Sequence, residues 1–196
     1  MDDSYIWNRQ INFRQLDSEW LRAIYALNAD LVAMRYFPSV YTQVQSDSLA
    51  DKCKTLITQK GWGLWAVWTK SDDVFIGFVG LHTPDTNLPC SPCIEIGRRL
   101  QPKYWGLGYA SEAAHKALEY GFNELALPEI VSFTAKINQS SRAVMKRIGM
   151  RDTRHNFYHP SLSLDSPLAE HVLYKITRDR WLQQVNSPRI DYLLIK

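Results

Sequence analysis

The stretch from Lys103 to Glu119, KYWGLGYASEAAHKALE, limits what this chain can fold into more than any other. Gly106 and Gly108 stand one residue apart, and Leu107, Ala110, Ala114, Leu118 and Phe122 recur at helical spacing. A glycine turn feeding a helix leaves several backbone N–H groups without intrahelical partners. These groups and the helix dipole converge on any anion placed there. Glycine also keeps side chains out of a phosphate's way. A tight turn without a ligand would show the same pattern, so the surroundings must decide.

Before the turn, Cys93 to Leu100 reads CIEIGRRL, a strand with Ile94 and Ile96 on one face and Cys93, Glu95 and Gly97 on the other. A carboxylate in an apolar strand needs a cleft or a partner, and Arg98 and Arg99 are the nearest cations. Upstream, Ile11 to Arg14 reads as a first strand. Asp17 then caps a helix carrying Trp20, Leu21, Ile24 and Leu27 on one face. Residues 29 to 40 are irregular, a second helix spans Asp47 to Gln59, and Gly61 stops it. Leu64 to Thr69 and Val74 to Leu81 form an antiparallel hairpin, in which Gly77 and Gly80 call for a bulge or a close approach. His82 to Pro92 reads as a loop.

Downstream, the helix runs to about Tyr120 and Ile130 to Thr134 forms the next strand, a right-handed β-α-β unit. Asn138 to Ser141 caps a helix that stops at Gly149. One strand spans Arg151 to Tyr158, another His171 to Thr177, and Arg178 to Leu182 makes a short turn or helix. The expected unit is one domain over 1–196, with a core of about 9–181 and a C-terminal extension from 182.

Several function classes fall away. A net charge of +3 without a dense basic run argues against nucleic acid. No apolar run approaches a membrane span, and the acidic start MDDS does not read as a leader, so a cytoplasmic protein is expected. Cys90 and Cys93, in PCSPC, are half of a zinc site, and no metal is expected. About one hundred residues precede the glycine turn and no G-K-S or G-K-T follows it, against the dinucleotide and P-loop fingerprints.

The run IEIGRRLQPKYWGLGYASEAAHKALEYGFNEL, then IVSFTAKINQSSRAVMKRIGMR, then HVLYKITRDRW, resembles the acyl-CoA-dependent N-acetyltransferase superfamily, GNAT. Within it, E-x-G, P-x-x-W-G-x-G-x-A, N-x-x-S and a helix ending G-M are similar to the ribosomal-protein N-terminal acetyltransferase (RimJ/RimL-like) branch. The resemblance implies an α/β (α+β) fold. Its mixed, mostly antiparallel sheet has six or seven strands, is splayed between strands four and five, and carries helices on both faces.

It also implies acetyl-CoA as cofactor and a primary amine, on a small molecule or a protein N-terminus, as acceptor, joined by direct attack in a ternary complex. Lys103 would stand at the first position of the pyrophosphate loop, and the backbone of Trp105, Gly106, Leu107, Gly108, Tyr109 and Ala110 would grip the diphosphate. Asn138 would bind the cofactor arm, Ser141 would assist the leaving thiolate, and Glu95 would take the amine's proton. Ile96, Gly97 and Arg98 would offer backbone N–H groups to the oxyanion, and Arg142 would flank the phosphates.

The acceptor groove would be built by residues 34–41, 82–92 and 158–166, with Tyr36, Phe37, His82, Tyr158 and Tyr174 as contacts. Nearby Asp85, Asp165 and Glu170 would suit a cationic amine. A longer acyl donor, judged by Phe78 and Ile96, and a non-catalytic acyl-CoA-binding module are the competing readings, and a homodimer is left open.

Overall fold

The computed structural model describes residues 10–14 and 20–186. Asp17 and the tail beyond 186 lie outside them. The elements run β1 (Ile11–Arg14), α1 (Leu21–Asn28), α2 (Gln43–Lys60), β2 (Leu64–Thr69), β3 (Phe75–His82), β4 (Glu95–Leu100), α3 (Tyr109–Asn123), β5 (Glu129–Ala135), α4 (Gln139–Arg147), β6 (Arg151–Asp152), β7 (Phe157–Tyr158), β8 (Glu170–Thr177) and α5 (Arg178–Asn186). The strands form one mixed sheet in the order β1-β2-β3-β4-β5-β8-β6, with β7 also on β8. All pairings are antiparallel except β4 with β5.

That exception is the centre of the molecule. β4 pairs with β3 along its whole length, from His82↔Glu95 to Gly77↔Leu100. Against β5 it keeps a single register pair, Glu95↔Val131, and then the two strands part. Apolar side chains close both faces. On one, α1 and α2 bring Ile24, Leu27, Ala50 and Cys53 onto Ala66, Trp68 and Phe78. On the other, α3, α4 and α5 bring Leu118, Phe122, Met145, Ile148 and Trp181 onto Leu81, Ile96 and Ile130.

Local chemistry explains where the elements begin and end. α2 starts four residues before the sequence expectation because Thr42 and Gln45 make a capping box: Thr42 Oγ1 accepts from the Gln45 N–H, and Gln45 Oε1 accepts from the Thr42 N–H. The strand expected over 151–158 is two two-residue strands, β6 and β7, because Asp152 and Thr153 side chains accept backbone N–H groups of Arg154 and His155 and turn the chain between them. Gly80 answers to close approach: a Cβ there would stand 2.0 Å from the Gly63 carbonyl oxygen. His82, expected at the start of a loop, ends β3 instead.

Candidate active site

Where β4 and β5 part, a cavity of about 650 Å³ opens, walled by both strands, the 33–41 segment, the glycine turn and the start of α4. Side-chain alternation on β4 divides it. Ile96 and Arg98 face the α3–α4 side, and Glu95, Gly97 and Arg99 face the α1–α2 side. Backbone groups alternate too. The Gln101 N–H donates to Ile76 on β3, so the amides of Ile96 and Arg98 point toward β5: that of Ile96 closes the one bridge to Val131, and that of Arg98 faces the gap. β5 offers the gap Ser132 Oγ, which donates to the Ile96 carbonyl at 3.1 Å.

The glycine turn sits at one end. Gly106 and Gly108 have φ of +77° and +89°, and nothing lies within 4 Å of a Cβ built on either. Positive φ requires glycine, and the open space means that no protein atom fills the concavity. Gly108 caps α3 without a side-chain hydrogen bond. Among the described residues, the N–H groups of Gly106, Leu107 and Gly108 make no backbone hydrogen bond. Unfilled space beside unpaired N–H groups at a helix start fits a diphosphate. The indole of Trp105 donates to the Leu100 carbonyl at 2.8 Å and holds the turn against β4.

At α4, Asn138 is the N-cap, accepting from the Ser141 N–H at 3.1 Å and donating to Thr134 Oγ1 at 3.0 Å. Ser141 Oγ accepts from Arg98 Nη2 at 2.8 Å, and the same nitrogen reaches the Ser141 carbonyl at 2.8 Å. Burial pushes the Arg98 guanidinium down to about 10, with Glu95 supporting its charge, so it remains cationic at neutral pH.

Across β4, Glu95 is only 8% exposed, and its Oε2 lies 3.2 Å from His82 Nε2. This is the carboxylate's partner, rather than either arginine beside it in sequence. Burial depresses the His82 imidazole, but the hydrogen bond and charge of Glu95 outweigh burial and raise it above its usual value. His159 and His171, with rings 5.0 Å apart, also line the cavity. Burial lowers both, partly offset by Glu95 for His159, so both are neutral near pH 7.

The cavity wall thus gathers Tyr36, Phe37, His82, Glu95, Ile96, Gly97, Arg98, Trp105, Gly106, Gly108, Ala110, Asn138 and Ser141 of the residues expected from sequence. It does not include the others. Tyr174 is fully buried in the core beside Trp181, because its position on β8 faces the α3–α5 layer. Tyr158 is 59% exposed. Arg142 turns back to the Lys136 carbonyl, and Lys103 lies over the Tyr104 ring. Leu107 points to solvent, and Tyr109 packs edge-on against Tyr104. Asp85 pairs with Lys52 and Glu170 with Lys136, and neither these nor Asp165 reaches the cavity.

The sequence reading missed Arg35, Arg99, Ser132, Phe133 and Arg147 in this wall. Cross-strand register was the signal available for His82 and Glu95: residues directly opposite in an antiparallel pair must meet.

Comparison with known proteins agrees with this geometry. A family described as an acetyltransferase (GNAT) domain matches residues 10–151. The chain belongs to the GNAT acetyltransferases. Among curated proteins, this GNAT chain is 31% identical over 164 residues to FsC-acetyl coenzyme A-N(2)-transacetylase of Aspergillus fumigatus, covering 80% of this chain and 68% of that protein. It is 29% identical to the uncharacterised N-acetyltransferase YnaD of Bacillus subtilis, over 90% of this chain and 99% of that one. Among solved structures, a GNAT-family acetyltransferase from Bacillus anthracis superposes with a TM-score of 0.72 at 25% identity, covering 87% of this chain and 96% of the other. The protein is therefore an enzyme of the acyl-CoA-dependent N-acetyltransferase class.

Proposed function

We propose that this GNAT enzyme transfers the acetyl group of acetyl-CoA to a primary amine by direct attack in a ternary complex, and that it stands with the RimJ/RimL-like branch. One observation carries the reading: the open glycine turn, the unpaired edge of β4 and the Glu95–His82 pair share one cavity. The acetyl-CoA activity named for the Aspergillus relative supports an acetyl donor. As an N-acetyltransferase acting on a free amine, the protein needs neither membrane nor nucleic acid as partner. No helix among the described residues is long and apolar enough to cross a membrane.

When bound, the cofactor supplies an acetyl group activated as a thioester. The turn amides from Gly106 onward would hold its diphosphate, the Trp105 N–H being donated to the Pro102 carbonyl, and Arg147, which lines the cavity and donates to Ser111 Oγ at 3.2 Å, would add a charge. The Ile96 N–H closes the single bridge to Val131, and the Arg98 N–H beyond it, which β5 does not pair, would bind the cofactor arm or the acyl oxygen in place of the absent strand.

Proton handling falls to the two faces of β4. An amine attacks only when neutral, so Glu95 takes its proton, and His82 at 3.2 Å shares the charge. Arg98 occupies a lone pair of Ser141 Oγ, which leaves the Ser141 O–H free to donate at the end of the gap.

The test is thiol release from acetyl-CoA across amines and protein N-terminal peptides, with binding of acetyl-CoA measured separately. Saturable binding and thiol release are expected. A folded protein that binds no acetyl-CoA would overturn the reading. Glu95→Gln should lower kcat by about 100-fold or more, the usual weight of a positioned base. An unaltered rate would return Glu95 to a structural role.

A further inference from the structure

The α1–α2 half of the cavity holds a cation that the reaction above does not use. Arg99 is 9% exposed and lines the cavity on the same face of β4 as Glu95. Its Nη1 donates to Asn28 Oδ1, and Asn28 is fixed from behind by donating to the buried Ser46 Oγ at 2.9 Å. Its Nε has no hydrogen-bond partner among the described residues, and no carboxylate among them lies within ion-pair distance. Aromatic rings surround it, with Phe37, Phe78 and Tyr41 centred 4.1, 5.2 and 5.3 Å from its Cζ, and the Tyr41 side chain also hydrogen-bonds it without supplying a countercharge at neutral pH.

Burying an unpaired charge is expensive, and cation–π contacts offset only part of the cost. A brace between α1 and β4 would need only the bond to Asn28. It would not require an unpaired Nε, nor a buried approach that opens into the cavity. The other cations of the wall are otherwise engaged. Arg98 is held by Ser132 and Ser141, Arg147 by Ser111, and Arg35 lies over Trp105 at the mouth. Among the described residues Glu95 is the single carboxylate of the wall, and it is paired with His82. The acceptor half of the cavity is thus cationic at its inner end, against the expectation of acidic residues suited to a cationic amine.

We propose that Arg99 anchors a carboxylate carried by the acceptor, so that the acceptor is an amine bearing an anionic group several bonds away. The inference rests on the amine-acetylating reading above and adds the substrate class. Spacing sets the length. Glu95 and Arg99 are four residues apart on one face, roughly 13 Å along the strand before their side chains lean together. That is too far for an α-amino acid, whose amine and carboxylate share one carbon. It suits an ω-amino acid or a short peptide with an acidic group.

The test compares ε-aminocaproate, ε-aminocaproamide and hexamethylenediamine as acceptors, with acetyl-CoA saturating. The carboxylate should give a kcat/KM about tenfold or more above both others, chiefly through KM, the weight of one charge-assisted hydrogen bond. Equilibrium binding needs no turnover: N-acetyl-ε-aminocaproate should bind the wild-type protein about tenfold or more tighter than its amide. Arg99→Met should erase that difference, and Arg99→Lys, which keeps the charge without the fork, should restore part of it. Equal binding of acid and amide to the wild type, or a diamine preferred over the acid, would overturn the proposal without recourse to any variant. Carboxylate binding without thiol release from any acceptor would count against the acetyl-transfer reading alone, so the two failures are distinct.

Discussion

At the scale of single residues, the Glu95–His82 pair makes a signed pH prediction. The folded imidazole titrates above its usual 6.5, because Glu95 outweighs burial. The stability it contributes is therefore full below about 6.5 and is lost as pH rises through the raised value. His82→Gln should cost about 1 kcal/mol near pH 6 and progressively less toward pH 9, read from urea midpoints across that range. A cost independent of pH would dissolve the pair. Catalysis has the opposite slope. A protonated His82 commits the Glu95 carboxylate, so kcat/KM should rise with pH through the same titration. In Glu95→Gln burial keeps its lowering effect on His82, opposed only by the smaller influences of the Thr83 backbone and Asp85, and any residual inflection should move to lower pH. The cysteines offer a simpler check. Burial raises Cys53 to about 11, and burial with the Cys90 thiol, 3.1 Å away, raises Cys93 to about 12. Alkylation of both near pH 8 should be slow in the native protein and fast in denaturant.

At the scale of elements, two glycines of the β4–α3 unit separate binding from folding. Gly121, inside α3, would put a Cβ 2.7 Å from Ile130 Cδ1 and 2.9 Å from Leu81 Cδ1. Gly121→Val should therefore cost about 1–3 kcal/mol of stability through overpacking. Gly106→Val meets no protein atom. Its folding cost is confined to the positive φ, about 1–2 kcal/mol, while its side chain fills the concavity over the turn amides. Calorimetric titration with CoA should show affinity lost by tenfold or more, several times the effect of Gly121→Val, an expectation scaled on losing about one charge-assisted contact. Equal losses would mean that the turn binds no anion. These two glycines also mark what was legible. The turn was readable because glycine is the only economical residue at two positive φ values one residue apart. The start of α2 was readable in principle from T-x-x-Q at 42–45, but the irregular run before it masked the cap. β6 and β7 were read as one strand because the turn between them depends on side-chain hydrogen bonds rather than on glycine or proline.

At the scale of the whole molecule, the sheet is two antiparallel halves, β1–β4 and β5–β8, joined by one parallel register pair. Periodicity located most of the strands, but it cannot report a gap, because a splayed strand has the same sequence pattern as a paired one. For the same reason Arg99 was invisible as a site residue. Its neighbours Asn28, Phe37 and Tyr41 come from α1 and the segment after it, some sixty to seventy positions earlier in the chain. Only the fold brings them together. The gap nevertheless leaves a measurable imprint on β4. Amides of Gly97 and Arg99 donate toward β3 and are buried in the sheet, whereas that of Arg98, beyond the bridge that Ile96 closes with Val131, faces the gap. In amide hydrogen exchange of the free enzyme, Arg98 should exchange faster than Gly97 and Arg99, although all three share one strand. Saturating CoA should slow Arg98 selectively, because an arm lying in the gap supplies the acceptor that β5 does not. It should also raise the unfolding free energy by about 2.7 kcal/mol at one hundred times Kd, which protects every globally exchanging amide to the same extent. The decisive quantity is the excess protection of Arg98 over that common increment. An excess places the cofactor arm in the gap between β4 and β5, and its absence would mean that the splay is not where the cofactor binds.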